Sequence, residues 1–206
     1  LTFRSRFSAD DVTIINKETP YQGFFRMLTY TLKHRLFNGG WSEPIQREVF
    51  ERGSAVAVLP YDPVRKEVAL IEQFRPGAMA TCDTPWLLEC VAGEIESGES
   101  VEEVAYREAE EEAGVKLKRL WPMLSYLSSP GGTSERLHVY LGECELGNAG
   151  GVHGLDSEHE DIYVHRFPEE EALSLLAEGK IDNASTVIAL QWLALNQKHV
   201  HERWCE

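Results

Sequence analysis

Three glutamates, Glu108, Glu111 and Glu112, fall within one turn's reach in the segment Gly93–Val115, Gly-Glu-Ile-Glu-Ser-Gly-Glu-Ser-Val-Glu-Glu-Val-Ala-Tyr-Arg-Glu-Ala-Glu-Glu-Glu-Ala-Gly-Val. At helical spacing they project to one side, and the stripe continues backwards through Ala105 and Val101, the side expected to face a core. Like charges at i,i+4 cost an isolated helix about 0.2–0.5 kcal/mol per pair, and burying them costs far more. A divalent cation removes that difficulty. Hard carboxylate oxygens suit Mg²⁺, which keeps several waters and is shared with substrate phosphates. The segment therefore reads as a helix that carries metal for phosphate chemistry. A merely solvated acidic helix is the plain alternative, and the ordered placing of glycines, Arg-Glu and Glu-Glu outweighs it.

The helix needs ends and a scaffold. Ser100 with Glu103 forms a capping box and Gly114 suits the left-handed C-terminal position, which predicts a helix over about 101–113. Glu103 and Arg107, at i,i+4 in the favourable order, are expected to pair. Upstream, residues 12–19, 24–37 and 43–50 have strand content, with Asn38-Gly39-Gly40 as a turn. They hold too little apolar material for a core of their own. Further strands are expected at about 54–60, 67–74, 86–92, 118–128, 136–144 and 161–167. Pro168 opens a helix to about 178, and Asn183 caps a last one to about 198. This order predicts an α+β fold with a mixed sheet between helices. The expected domains are a β segment over 1–52 and a catalytic domain over 53–206.

The helix segment resembles the Nudix box, Gly-x5-Glu-x7-Arg-Glu-U-x-Glu-Glu-x-Gly-U with U a bulky aliphatic. The match falls at Gly93, Glu99, Arg107, Glu108, Glu111, Glu112, Gly114 and Val115. Ala109 stands where a larger aliphatic is usual, which points to a close helix–sheet contact. The resemblance implies the Nudix fold, an α/β/α sandwich, and hydrolysis of a nucleoside diphosphate linked to another moiety, with Mg²⁺ or Mn²⁺. It extends over essentially the whole chain and is nearest to the ADP-ribose pyrophosphatase branch. Members of that branch commonly form homodimers in which the N-terminal strands cross to the partner.

Two loops narrow the expectation. Ser128-Ser-Pro-Gly-Gly-Thr-Ser-Glu-Arg136 is, as bare chemistry, a turn-rich connector. Beside the box it resembles the ADP-sugar signature, a proline about 15 residues beyond the box followed by Gly-Gly-Thr-Ser-Glu. That resemblance puts Glu135 near the terminal ribose or the metals. The second loop, Asn148–Asp161, is glycine-rich and acidic, a usual setting for catalytic groups. The resemblance makes Glu160 a metal ligand and Glu158 the general base, with Glu111 the alternative base. A carboxylate suits that task beside a metal, because coordination lowers the pKa of water.

The same resemblance gives Glu108, Glu111, Glu112 and the Ala92 carbonyl to the metal, two or three ions in all with substrate bound. Arg107 belongs to the catalytic helix. Arg75, at the end of a strand, is placed on the diphosphate, which a guanidinium grips bidentately without deprotonating. Arg47 and Phe24 join the substrate pocket, with Phe24 stacking on adenine. The expected reaction converts ADP-ribose to AMP and ribose 5-phosphate.

Composition sets limits on partners. A net charge of −14 argues against nucleic acid, whose backbone asks for a basic stripe. No run approaches a membrane span, and residues 1–20 lack a signal pattern. Cys82, Cys90, Cys144 and Cys205 are scattered, as in a cytoplasmic protein with reduced thiols. His153, His159 and His165 are too irregularly spaced for zinc. The five tryptophans read as packing residues. Other readings are hydrolysis of another nucleotide sugar such as GDP-mannose, an allylic diphosphate isomerase and a non-catalytic ADP-ribose sensor. The isomerase would need a catalytic thiol, and the sensor an appendage this sequence has no room for.

Overall fold

A computed structural model of the chain describes residues 3–155, 157 and 159–204, and it divides into two compact units. The first unit holds a three-stranded antiparallel sheet of β1 (Val12–Gln22), β2 (Arg26–His34) and β3 (Ile45–Glu51). Gly39 and Gly40 take positive φ in the turn that links β2 to β3, a conformation glycine reaches without steric cost. All eleven residues of β1 are exposed, and Leu28 is the buried residue of β2. Residues 127–135 also belong to this unit. The Phe50 N–H donates to the Gly132 carbonyl at 2.8 Å, and the Ser134 N–H donates to the Phe50 carbonyl at 3.1 Å. The loop thus extends the edge at β3.

The second unit is built on β4 (Ala55–Asp62), β5 (Glu67–Phe74), β6 (Trp86–Glu89), β7 (Val91–Glu94), α1 (Val101–Ala113), β8 (Arg119–Leu127), β9 (Arg136–Glu143), β10 (Gly151–His153), β11 (Ile162–Pro168), α2 (Glu169–Ala177) and α3 (Ala184–Trp204). The sheet runs β10-β11-β5-β4-β9-β8, with β6 on β5 and β7 on β4. It is mixed, because β4 pairs antiparallel with β5 and β7 but parallel with β9.

β4 shows why the layers form. All eight of its residues are buried, the continuous apolar run of a strand covered on both faces. Val56 and Val58 face the cluster that includes Val104, Ala105, Ala109 and Ala113 of α1. Ala55, Ala57 and Leu59 face the opposite cluster, with Ala172 of α2 and Ala189, Leu190 and Leu193 of α3. The α+β class, the α/β/α sandwich and the preceding small sheet are as the sequence implies.

Several details differ from the sequence reading. The expected strand 86–92 is two strands, because the Cys90 N–H leaves the ladder and donates to Thr186 Oγ1 of α3 at 2.7 Å. β10 was not foreseen within the glycine-rich loop. Pro168 ends β11 and caps α2 rather than entering it. Asn183 does cap α3, its Oδ1 accepting the Thr186 N–H, but α3 continues to Trp204. The reason is packing: Trp204 lies 6.1 Å from Trp121 and Val200 is buried.

Tryptophan is the other correction. Trp121, Trp192 and Trp204 pack against the core as expected, whereas Trp86 is 52% exposed and Trp41 38%. Trp86 leans on Phe74 at 5.3 Å, and Arg35 covers Trp41 at 4.4 Å.

Candidate active site

Helix α1 begins and ends where its residues dictate. Ser100 accepts the Glu103 N–H, and the Glu103 carboxylate accepts the Ser100 N–H at 2.8 Å. Gly114 closes the helix at φ 62°. Because this cap occupies Glu103, the expected Glu103–Arg107 pair gives way to another set of partners. Arg107 contacts Glu99 at 3.3 Å, Glu108 at 2.7 Å and Glu111 at 3.0 Å. Burial works against its charge, but Glu111, Glu108 and Glu99 together raise its pKa above the ordinary value. Arg107 therefore clamps three acids of the box.

Glu112 is the box acid drawn furthest inside, at 3% exposure. Its Oε2 accepts the Ala92 N–H of β7 at 2.9 Å, which ties the acid to the strand that bears the Ala92 carbonyl. Burial pushes the Glu112 carboxyl up to about 8; Glu108 and Glu160 add to the rise, while the Ala92 amide and Arg75 oppose it. Glu108 is pushed up to about 7, again chiefly by burial, with Glu111 and Glu160 adding and Arg107 opposing. These effects put Glu108, Glu112, Glu160 and Arg75 within one electrostatic neighbourhood.

Glycines make this close packing feasible. A Cβ on Gly93 would overlap the Glu108 carboxyl group, so the box glycine is the seat on which Glu108 rests. Gly154, at φ 100°, similarly faces Glu160, where a Cβ would come within 2.7 Å of the Glu160 Cβ. The Leu155 N–H donates to Glu160 Oε2 at 3.2 Å. Glu158, the expected base, lies outside the described residues.

Arg75 emerges at the end of β5 and its Nε donates to Glu89 Oε2 at 2.7 Å. Gln73 Nε2 donates to the same oxygen at 3.2 Å. Sequence reasoning missed Glu89. It closes the short run Trp86-Leu-Leu-Glu89, with no spacing to mark it, and its partners lie 14 and 16 positions away. His153 contacts the Gly150 carbonyl and His165 contacts Glu72, so both histidines already have local partners.

In the first unit, Phe24 is 88% exposed and meets Phe25 edge-on at 4.8 Å. Exposed Arg47 bonds the Gln46 carbonyl at 2.7 Å. The mostly buried Glu135 side chain stands 3.2 Å from Arg52. A separate depression of about 500 Å³, beside Asp62, Arg65 and Lys118, lies at the Asp62 end of β4. Its cations are paired, Lys118 with Glu145 at 2.6 Å and Arg65 with Asp62 at 3.5 Å, and it contains none of the box acids.

The donor set fits a divalent cation. Glu108 and Glu112 offer hard oxygens in a buried setting where mutual repulsion opposes ionisation, and a cation would relieve it. Among the described residues no three histidine, cysteine or acidic side chains converge on one point. Arg107 also holds one Glu108 oxygen, so a cation at Glu108 must compete with Arg107 or share the carboxylate.

This combination of a capped acidic helix, a glycine seat and a mixed sheet between helices defines a class. Residues 51–197 match the NUDIX domain, and the chain belongs to the Nudix family. It is 56% identical over 198 residues to the ADP-ribose pyrophosphatase of Escherichia coli K12, covering 96% of this chain and 95% of the relative. The ADP-ribose pyrophosphatase of Haemophilus influenzae is 46% identical, at 96% and 93% coverage. The GDP-mannose pyrophosphatase of Cronobacter sakazakii is 33% identical, at 90% and 96% coverage. A solved structure described as an ADP compounds hydrolase aligns with TM-score 0.71 at 23% identity, over 95% of this chain and 99% of that one. That likeness supports the fold. Within the family the chain belongs with the ADP-ribose pyrophosphatases, and it is a hydrolase of a diphosphate bond.

Proposed function

We infer that the chain hydrolyses the diphosphate of ADP-ribose to AMP and ribose 5-phosphate, with Mg²⁺ or Mn²⁺. The observation that carries this reading is buried Glu112 with half-buried Glu108 beside it and Arg75 acting on Glu112, in a chain 56% identical to an ADP-ribose pyrophosphatase. Glu108, Glu112, Glu160 and the Ala92 carbonyl would hold the ions, two or three with substrate bound, with Glu111 completing the cluster. Bound there, the ions would neutralise charge on the phosphoryl oxygens and acidify water.

The protein's own groups do the rest. Arg75, fixed by Glu89, grips the diphosphate through the guanidinium N–H groups that Glu89 does not use. Arg107 keeps the acids of α1 in register and is not spent on substrate. Glu158 takes the proton of the attacking water, and the P–O bond between the two phosphates breaks to release both monophosphates. In the first unit Phe24 stacks on adenine, Arg47 assists binding and Glu135 accepts hydroxyls of the terminal ribose.

The exposed β1, with Val12, Ile14, Ile15 and Tyr21 all uncovered, supports a homodimer in which a second copy covers this sheet. We place the protein in the cytoplasm, a setting that suits its free thiols. No described helix is long and apolar enough to cross a membrane. Neither nucleic acid nor membrane is assigned as a partner.

The test is a product-resolved assay of ADP-ribose against GDP-mannose, NADH and diadenosine polyphosphates, with Mg²⁺ and with EDTA. Preferred, EDTA-sensitive release of AMP and ribose 5-phosphate is expected. Preferred turnover of GDP-mannose would overturn the substrate assignment, and binding of ADP-ribose without turnover would indicate a sensor.

A further inference from the structure

Strand β10 is three residues long and pairs with β11, His153 opposite Ile162, yet it leads into the turn that delivers Glu160. The far end of α1 holds it in place. The His153 ring lies over Gly114, where a Cβ would stand 2.5 Å from His153 Cε1 and 3.0 Å from Nδ1. The glycine that ends the helix at φ 62° therefore also leaves room for the imidazole. The His153 Nε2–H donates to the Gly150 carbonyl at 3.2 Å, which sets the tautomer of the ring. Next in the chain, the Gly154 N–H donates to the Glu111 carbonyl at 3.4 Å, one of the carbonyls that a helix leaves unpaired in its last turn. Gly154 in turn packs on Glu160, whose Oε2 accepts the Leu155 N–H and whose N–H donates to the Leu155 carbonyl at 3.3 Å. A continuous seam thus joins Glu160 to the helix that bears Glu108 and Glu112, and it lies wholly within the second unit.

We propose that His153 is a positioning residue: seated on Gly114 and tied to Gly150, it docks the turn at Gly154 against the C-terminus of α1 and so sets where the Glu160 carboxylate stands relative to Glu108 and Glu112. The inference rests on the reading above in which these three acids hold the divalent cation. His153 itself touches neither cation nor substrate. Without the ring, the long Gly154–Glu111 bond loses its support and Glu160 ranges more widely. The cost then falls on cation affinity rather than on the fold.

The experiment uses the full-length chain with His153→Ala, His153→Gln, Glu160→Gln and the His153→Ala/Glu160→Gln double variant. Mn²⁺ binding is read by electron paramagnetic resonance without substrate, and amide hydrogen exchange by nuclear magnetic resonance on the metal-free protein. His153→Ala is expected to weaken Mn²⁺ binding about tenfold and to speed exchange at the Gly154 amide about tenfold. Its metal-free thermal midpoint should stay within about 3 °C of wild type. His153→Gln keeps an N–H donor near the Nε2 position and should recover Mn²⁺ affinity to within about threefold of wild type. In the Glu160→Gln background, His153→Ala should cost no further affinity. Unchanged Mn²⁺ affinity, unchanged exchange at Gly154, a glutamine variant no better than alanine, or additive losses with Glu160→Gln would each overturn this inference alone, the last by showing that His153 does not act through Glu160. Should His153→Ala not fold by circular dichroism, His153→Asn, too short to cover Gly114, takes its place in the same cycle. Wild type that binds no Mn²⁺ would overturn the metal reading and this inference with it.

Discussion

β1 and β4 are strands with opposite fates. Every residue of β1 is exposed and every residue of β4 is buried. β4 is covered on one face by α1 and on the other by α2 and α3, so its unit closes a core within one chain. Among the described residues of the N-terminal unit no α-helix accompanies the sheet, and Ile14, Ile15 and Tyr21 are exposed. The chemistry follows the same division. In the second unit Glu112 can be forced inside, with Glu108 half-buried beside it, because a closed core holds them there. The N-terminal unit instead carries exposed or loop-borne groups such as Phe24, Arg47 and Glu135.

The strongest way to break this comparison is at Glu112. Glu112→Gln should lower kcat about a thousandfold, since charge stabilisation in such sites is worth several kcal/mol. It should leave the thermal midpoint without metal unchanged or higher, because it removes a carboxyl group whose ionised form burial penalises. Steady-state kinetics with calorimetry checks both. A large loss of stability would mean that Glu112 acts as a structural acid.

Next in size is a matched pair of truncations. Leu70→Ala, at a fully buried position of β5, should cost about 2–5 kcal/mol in chemical denaturation. Ile14→Ala, at 57% exposure, should cost a single copy less than about 0.5 kcal/mol. If a second copy covers β1, Ile14→Asp should shift sedimentation towards monomer without altering the secondary structure of the catalytic unit. Equal costs for the two alanine variants measured below the dimer dissociation concentration would erase the contrast.

Gly93→Ala tests the seat beneath Glu108. The added Cβ would displace that carboxylate, and activity should fall about tenfold or more with little change in fold. Wild-type activity would show that Glu108 can move freely.

The smallest effect concerns thiols. Burial pushes both Cys90 and Cys144 up to about 12, so at pH 8 only about one thiol in ten thousand is ionised. Both should react with a thiol reagent only on unfolding, whereas half-buried Cys82 should react in the native protein. Peptide mapping of the labelled sites decides this.

Legibility in the sequence followed the range of the interactions. α1 could be bounded at both ends because its signals are local: Ser100, Glu103 and Gly114 act within five residues of where they stand. The split between β6 and β7 was illegible because its cause, Thr186, lies 96 positions from Cys90. The Glu103–Arg107 pair failed for a local reason, since the cap competed for the same carboxylate. The box identified the acids Glu108, Glu111 and Glu112, but Glu89, which fixes Arg75, carries no motif and appears only when β5 and β6 pair.

The account turns on whether the buried acids form a cation site. The direct measurement is Mn²⁺ binding by electron paramagnetic resonance, with wild type and Glu112→Gln compared without substrate. Saturable binding by wild type, weakened at least about tenfold in Glu112→Gln, is the result predicted. Equal binding by the two proteins, or none by wild type, would contradict it.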